Sequence, residues 1–307
     1  MKIAILIPCY NEELTVKNVI NDFQHKLPDA SIYVFDNNST DKTAAIAEEA
    51  GAIVKREPRQ GKGFVVEAMF RTIDADYYVM VDGDDTYPVD KVELMLSELK
   101  NSVDMVVGDR LSNGTYSKEN TRVFHSFGNW LVKTMINRLF HVHLNDIMSG
   151  YRVFSKDFVK NYPALCDGFQ VETDMTIFAL DHNYVIKEIE ISFQERPDGS
   201  ESKINTYTDG ARVIMTIFNL YRHYRPLIFF TVVAILFVLL ALIVGFPVVQ
   251  EYILYDYVYR VPSAVLSASL MIFSLLTFIT GIILDSVRHN SKELLNLRRK
   301  EDVHEAE

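Results

Sequence analysis

Over its first two hundred residues the chain alternates short apolar blocks with stretches of helical spacing. The blocks "IAILIP" (3–8), "SIYVFD" (31–36), "AIVKR" (52–56), "YYVMVD" (77–82) and "VDMVVGD" (103–109) predict strands. Between them, "EELTVKNVINDFQHKL" (12–27), "STDKTAAIAEEAG" (39–51), "FVVEAMFRTIDA" (64–75) and a segment opening near Pro88 predict helices. Ser39, Thr40 or Asp41 can cap the second of these, and Gly51 ends it. The strand blocks are apolar nearly throughout, as strands covered on both faces are. Repeated β-α-β order with such strands predicts an α/β fold: a mostly parallel sheet with helices on both faces. Ligands of such sheets bind beyond the carboxyl ends of the strands.

The pattern changes after about residue 205. Residues 226–249 and 261–284 carry no charged side chain. At about 1.5 Å per residue each is long enough for a hydrocarbon core of about 30 Å, and two in tandem predict a transmembrane helical hairpin. Arg212, Arg222 and Arg225 precede the first run, and Arg288, Lys292, Arg298, Arg299 and Lys300 follow the second. The connecting "QEYILYDYVYR" holds one Arg, two acids and four tyrosines suited to a membrane interface. Basic flanks place residues 1–205 and both termini on the cytoplasmic side of the cytoplasmic membrane. The chain is thus expected to divide into an α/β domain (1–205), an amphipathic juxtamembrane helix (206–225), two transmembrane helices (226–285) and a charged tail (286–307), helical at first and then frayed. A further stripe, Phe124, Phe127, Trp130, Leu131 and Met135 with Lys133 and Arg138 nearby, fits either a core helix or one lying in the headgroup region.

Composition narrows the classes. The 307 residues carry a net charge of −10, which argues against a nucleic-acid binder. The two cysteines, Cys9 and Cys166, form neither a disulfide framework nor a metal-ligand spacing and read as core thiols.

The polar residues cluster where the strand blocks end: "PCYNE", "DNNSTD", "DGDD" and "GDR". Each alone is ordinary turn chemistry. At successive strand ends they would line one edge of the sheet, as a cation and a polar ligand require. "DGDDTYP" (82–88) puts three carboxylates in four positions after an apolar strand, and a carboxylate there must meet water or a cation. It is no EF-hand: Asp82, Asp84 and Glu93 fit loop positions one, three and twelve, but Tyr87 and then Pro88 stand where the turn glycine belongs.

In order, "PCYNEE", "DNNSTDKT", "QGKG", "DGDDTYP", "GDR", "SGYR" and "RPDGSESK" resemble the GT-A-fold family 2 glycosyltransferases, more narrowly the dolichyl-phosphate mannosyltransferase-like polyprenyl-phosphate sugar synthases. The resemblance covers about residues 3–205, and the two-span tail matches a membrane-anchored subgroup. It implies an inverting transfer of a sugar from a nucleotide-diphosphate donor to undecaprenyl or dolichyl phosphate. Pro8, Tyr10, Asn11, Glu12 and Asp36 would hold base and ribose, and Asp82 and Asp84 would hold Mg²⁺ or Mn²⁺ against the donor diphosphate. Lys62, Arg196 and Lys203 would serve the same donor. Arg110, Ser149 and Arg152, with Ser202 of the loop that closes over the donor, would meet the acceptor phosphate, Arg offering a bidentate fork. Asp84, Arg110, Arg152 and Asp146 are the catalytic candidates, with Asp146 orienting either the acceptor or an Arg. Thr86 stands where many relatives carry Gln, and Asp85 has no role in this scheme. A glycolipid or polysaccharide hydroxyl is the alternative acceptor. The tyrosine-rich loop and the two spans are compatible with self-association.

Overall fold

A computed structural model describes residues 1–112, 123–163, 171–194, 218–219 and 222–305. The chain forms two compact units, Met1–Asp209 and Gly210–Glu307.

The first unit is built on β1 (Ile3–Cys9), α1 (Val16–Lys26), β2 (Ser31–Asp36), α2 (Thr43–Glu49), β3 (Ile53–Arg56), α3 (Lys62–Thr72), β4 (Tyr77–Met80), α4 (Val92–Leu99), β5 (Met105–Asp109) and α5 (Val123–Phe140). After these come β6 (Arg152–Ser155), α6 (Lys156–Asn161), α7 (Val171–Asp181) and β7 (Ile186–Glu190). The strands form one seven-stranded sheet in the order β3-β2-β1-β4-β6-β5-β7. All neighbours run parallel except β6, which lies antiparallel between β4 and β5. The five strands read from the apolar blocks are present. β6 and β7 are additions, and β6 makes the sheet mixed while leaving β1, β2, β4 and β5 pointing the same way.

Packing rather than capping fixes α1. It has no side-chain cap at Thr15, but it buries Val16, Val19, Ile20 and Phe23. At about 1.5–3 kcal/mol per fully buried large apolar side chain, that face outweighs a missing cap of about 1 kcal/mol. Those residues share one core with Ile5 and Ile7 of β1 and with Val92, Met95 and Leu96 of α4. A second, aromatic cluster joins other elements: Phe70 of α3 meets Phe154 of β6 edge-on, and Phe158 of α6 meets Phe178 of α7 likewise. In α5 the buried stripe is Val132, Ile136 and Leu139, at spacings of four and three, whereas Trp130 is 55% exposed. The stripe expected through Trp130 and Leu131 is therefore not the core face. The side chains of Phe124 and Phe127 lie outside the described residues.

In the second unit, α8 (Pro226–Tyr255) and α9 (Val261–Glu305) are both long and apolar enough to cross a membrane. They pack through small residues. Ala234, Ala241 and Val248, seven apart, are buried amid exposed leucines and isoleucines. Ser274 Oγ donates to the Ala234 carbonyl at 2.9 Å and Ser267 Oγ to the Ala241 carbonyl at 2.8 Å. Contacts of this kind are the ones that join helices in lipid, where apolar burial adds little. The charged tail differs from expectation: α9 continues to Glu305, through a stretch after Leu284 that holds no Gly or Pro. Of the juxtamembrane segment 206–225, residues 206–217, 220 and 221 lie outside the described residues.

Candidate active site

The carboxyl ends of β1, β2, β4 and β5 share one edge of the sheet, and the loops that carry Asn11, Glu12, Asp36, Asp82, Asp84 and Arg110 leave from it. After β1, Asn11 takes a left-handed backbone (φ 55°), which Asn tolerates better than most residues. Its N–H donates to Ser39 Oγ at 3.0 Å, and its Oδ1 accepts from Thr40 N at 2.8 Å. Glu12 N donates to Thr43 Oγ1 at 2.8 Å. The β1 and β2 loops are thus laced together around Asp36, which ends β2, is buried, and accepts from Ser39 N. Pro8 and Cys9 close β1. Burial, reinforced by Glu12, Asp36, Asp82 and Asp84, holds the Cys9 thiol well above its ordinary pKa, so it stays protonated packing. Cys166 lies outside the described residues.

Asn37, unassigned in the sequence reading, clamps the next loop. Its amide donates to the carbonyls of Glu57 and Arg59 at 2.9 and 2.7 Å, and its Oδ1 accepts from Gly61 N at 2.8 Å. Gly61 needs its lack of Cβ there, at φ 136°. The clamp sets the start of α3 and so the base of Lys62.

The β4 loop carries Asp82 and Asp84. Asp84 is 7% exposed, and its Oδ1 accepts from Thr86 Oγ1 at 2.7 Å and Thr86 N at 3.3 Å. Asp82 Oδ1 is 2.6 Å from Lys62 Nζ. Its other oxygen lies against Gly150, where a Cβ would overlap the carboxyl group. Lys62 also pairs with Glu172, which is 5% exposed in the first turn of α7. Burial works against the Lys62 charge, but Asp82 and Glu172 outweigh it and raise its pKa above the ordinary lysine value. Asp85 turns away with φ 60° and accepts from Asn18 at 3.2 Å, and burial raises its pKa.

After β5, Arg110 forms a two-pronged pair with Asp146: Nε to Oδ2 at 2.7 Å and Nη2 to Oδ1 at 3.0 Å. Asp146 is 2% exposed and its own N–H donates to Glu188 of β7 at 2.7 Å. Arg110 Nη1 donates to Tyr87 Oη at 3.1 Å, and Tyr87 Oη also accepts from Gly150 N at 3.0 Å. Burial pushes the Tyr87 pKa up, so its hydroxyl keeps its proton. Tyr87 therefore ties the β4 loop to the 146–150 segment and to Arg110.

Two of the expected acceptor residues are buried in this structure. Arg152, at the start of β6, is 0% exposed. Its guanidinium is used up inside: Nη2 donates to the Ile147 carbonyl at 2.6 Å, Nε to the Ser149 carbonyl at 2.8 Å and Nη1 to Thr176 Oγ1 at 2.9 Å. Burial lowers its pKa, the nearby Glu172 and Asp146 opposing that shift. Ser149 is equally buried. Through these bonds the Arg152 side chain braces the carbonyls of Ile147 and Ser149. Arg196, Ser202 and Lys203 lie outside the described residues.

Asp82 and Asp84 supply hard oxygens suited to Mg²⁺ or Mn²⁺. Among the described residues no group of three or more His, Cys, Asp or Glu is placed to hold a metal ion. That fits a cation which takes one or two carboxylates and completes its shell with substrate phosphates and water.

The Glycosyl transferase family 2 profile matches residues 4–162. Glycosyltransferase AglJ of Haloferax volcanii is 30% identical over 309 residues, spanning 98% of each chain. The dolichyl-phosphate hexose transferase of the same organism is 26% identical over 211 residues, 69% of this chain and 90% of that one. Among solved structures, glucosyl-3-phosphoglycerate synthase from Mycobacterium tuberculosis in complex with Mn²⁺, UDP and phosphoglyceric acid superposes with a TM-score of 0.59. It is 20% identical and covers 72% of this chain and 77% of its own, a likeness of fold.

Proposed function

Because this chain belongs to glycosyl transferase family 2, we propose that it moves a sugar, with inversion, from a nucleotide-diphosphate donor to a polyprenyl phosphate at a membrane. The observation that carries the reading is the pairing, on one sheet edge, of the Asp82–Asp84 carboxylates with an Arg110 aimed by Asp146 and Tyr87. The relative named a dolichyl-phosphate hexose transferase supports the acceptor, and the two apolar helices support a membrane location. The basic flanks of those helices favour a cytoplasmic catalytic unit and cytoplasmic termini.

In this reading Tyr10, Asn11, Glu12 and Asp36 hold base and ribose, with UDP favoured by the solved neighbour's UDP complex. Asp82 and Asp84 hold a divalent cation, which when bound supplies Lewis-acid neutralisation of the leaving diphosphate. Lys62, Arg196 and Lys203 add positive charge to the same group. Arg110 receives the acceptor phosphate. A phosphate monoester is already anionic near neutral pH, so its oxygen attacks the anomeric carbon without a general base. Asp146 is committed to Arg110 and acts as its holder. Positioning and fixed charge supply the rate.

Arg110→Lys keeps a positive charge but cannot keep the two-pronged Asp146 pair and the Tyr87 contact that aim it. Its KM for polyprenyl phosphate is expected to rise about 10-fold or more, with UDP affinity held within about 2-fold. An unchanged acceptor KM would remove Arg110 from the acceptor site.

A further inference from the structure

Lys62 is the first residue of α3, where the helix dipole disfavours a cation. It is also nearly buried, with 15% side-chain exposure. Two carboxylates from different elements hold it there: Asp82 from the β4 loop and Glu172 from α7. Glu172 lies in the first turn of α7, where the helix dipole favours an acid. The ammonium therefore occupies one oxygen of the carboxylate that the proposed function gives to a divalent cation.

The formal charges of Asp82, Asp84, Glu172 and Lys62 sum to −2, which one divalent cation balances. When that cation takes Asp82, the ammonium must give up this partner. Glu172 makes the exchange possible, because a buried ammonium without a counter-charge would be strongly disfavoured. The rigid Asn37 clamp on residues 57–61 keeps the base of Lys62 fixed while its tip changes partner.

Resting on that function, we propose that Glu172 is a positioning residue which retains Lys62 when Asp82 turns to the metal, keeping the ammonium in the site as a second cation for the donor diphosphate. Without Glu172, Lys62 has Asp82 alone and competes with the metal for it.

The test is Mn²⁺ binding to the full chain in detergent, with no donor present, followed by UDP binding at saturating Mn²⁺. Glu172→Gln is expected to weaken Mn²⁺ by about 10-fold, and Glu172→Asp to recover most of that loss. Lys62→Met removes the competitor and is expected to bind Mn²⁺ at least as tightly as the parent, while UDP binding weakens. In the double variant Glu172→Gln/Lys62→Met, Mn²⁺ affinity should return to that of Lys62→Met. That return separates competition from simple damage to the fold. A double variant as weak as Glu172→Gln, or a Glu172→Gln protein with parental Mn²⁺ affinity, overturns the positioning role and leaves the metal reading standing. A parent chain with no saturable Mn²⁺ binding even when UDP is present overturns both.

Discussion

Replacing Asp84 by Ala is expected to lower turnover by about 10³-fold or more while the chain still folds. Asp84 is the more enclosed of the two carboxylates on the β4 loop, and Thr86 fixes its orientation through a hydroxyl and an N–H. In the proposed reaction its charge acts on the leaving diphosphate, where a dry, fixed group is worth more than the same group in water. Alanine also strips Thr86 of its acceptor, so a loss of activity alone would be ambiguous. Asp84→Asn resolves it: the amide oxygen still accepts from Thr86, but the formal charge is gone. Both variants should be inactive in steady-state assays, and Asp84→Asn should melt within a few degrees of the parent. An Asn variant with parental turnover would remove Asp84 from the metal and donor site.

Arg152→Ala is expected to act on stability. The side chain is the largest wholly buried one in the structure and ties the Ile147 and Ser149 carbonyls to Thr176 of α7. Its removal leaves buried acceptors unpaired and a cavity behind, together about 3–5 kcal/mol. For a unit of about 200 residues that corresponds to a melting point lower by on the order of 10 °C. Arg152→Lys should recover only part of the loss, since an ammonium cannot span the divergent partners. Thermal unfolding of the full chain checks this. If Arg152 instead bound acceptor phosphate, the alanine variant would melt normally and lose acceptor affinity.

These two residues mark where the sequence is legible and where it is not. The Asp82 and Asp84 carboxylates could be read because their cost after an apolar strand has few remedies, and the parallel order of β1, β2 and β4 puts the strand ends on one edge. Arg152 stands in a polar motif, where a charged residue reads as a site residue, and its burial was not visible there. Its "SGYR" segment actually opens a four-residue strand, β6, whose first side chain enters the core. No apolar block announced that strand, and its antiparallel insertion between β4 and β5 depends on partners far away in sequence. Glu172 went unnoticed for a related reason. It lies in "QVETDMTIF", where acids at a helix start are ordinary, and only the fold brings it to Lys62 across more than a hundred residues. Tyr87 was visible as a residue, but its hydroxyl bridge to Arg110 and Gly150 was not. The two long apolar helices were legible in composition, but α8 runs on to Tyr255 and α9 to Glu305, past the uncharged runs that announced them. The Ser267 and Ser274 bonds that join them needed the packed helices to be seen.

The most direct measurement gives the purified full chain undecaprenyl or dolichyl phosphate, Mn²⁺ or Mg²⁺, and a panel of nucleotide sugars, with the lipid fraction read by mass spectrometry. The expected result is one lipid-linked monosaccharide phosphate from one donor, lost on omitting the cation. Release of free nucleoside diphosphate with no sugar on the lipid phosphate would contradict the account and move the acceptor to a hydroxyl of a glycolipid or polysaccharide.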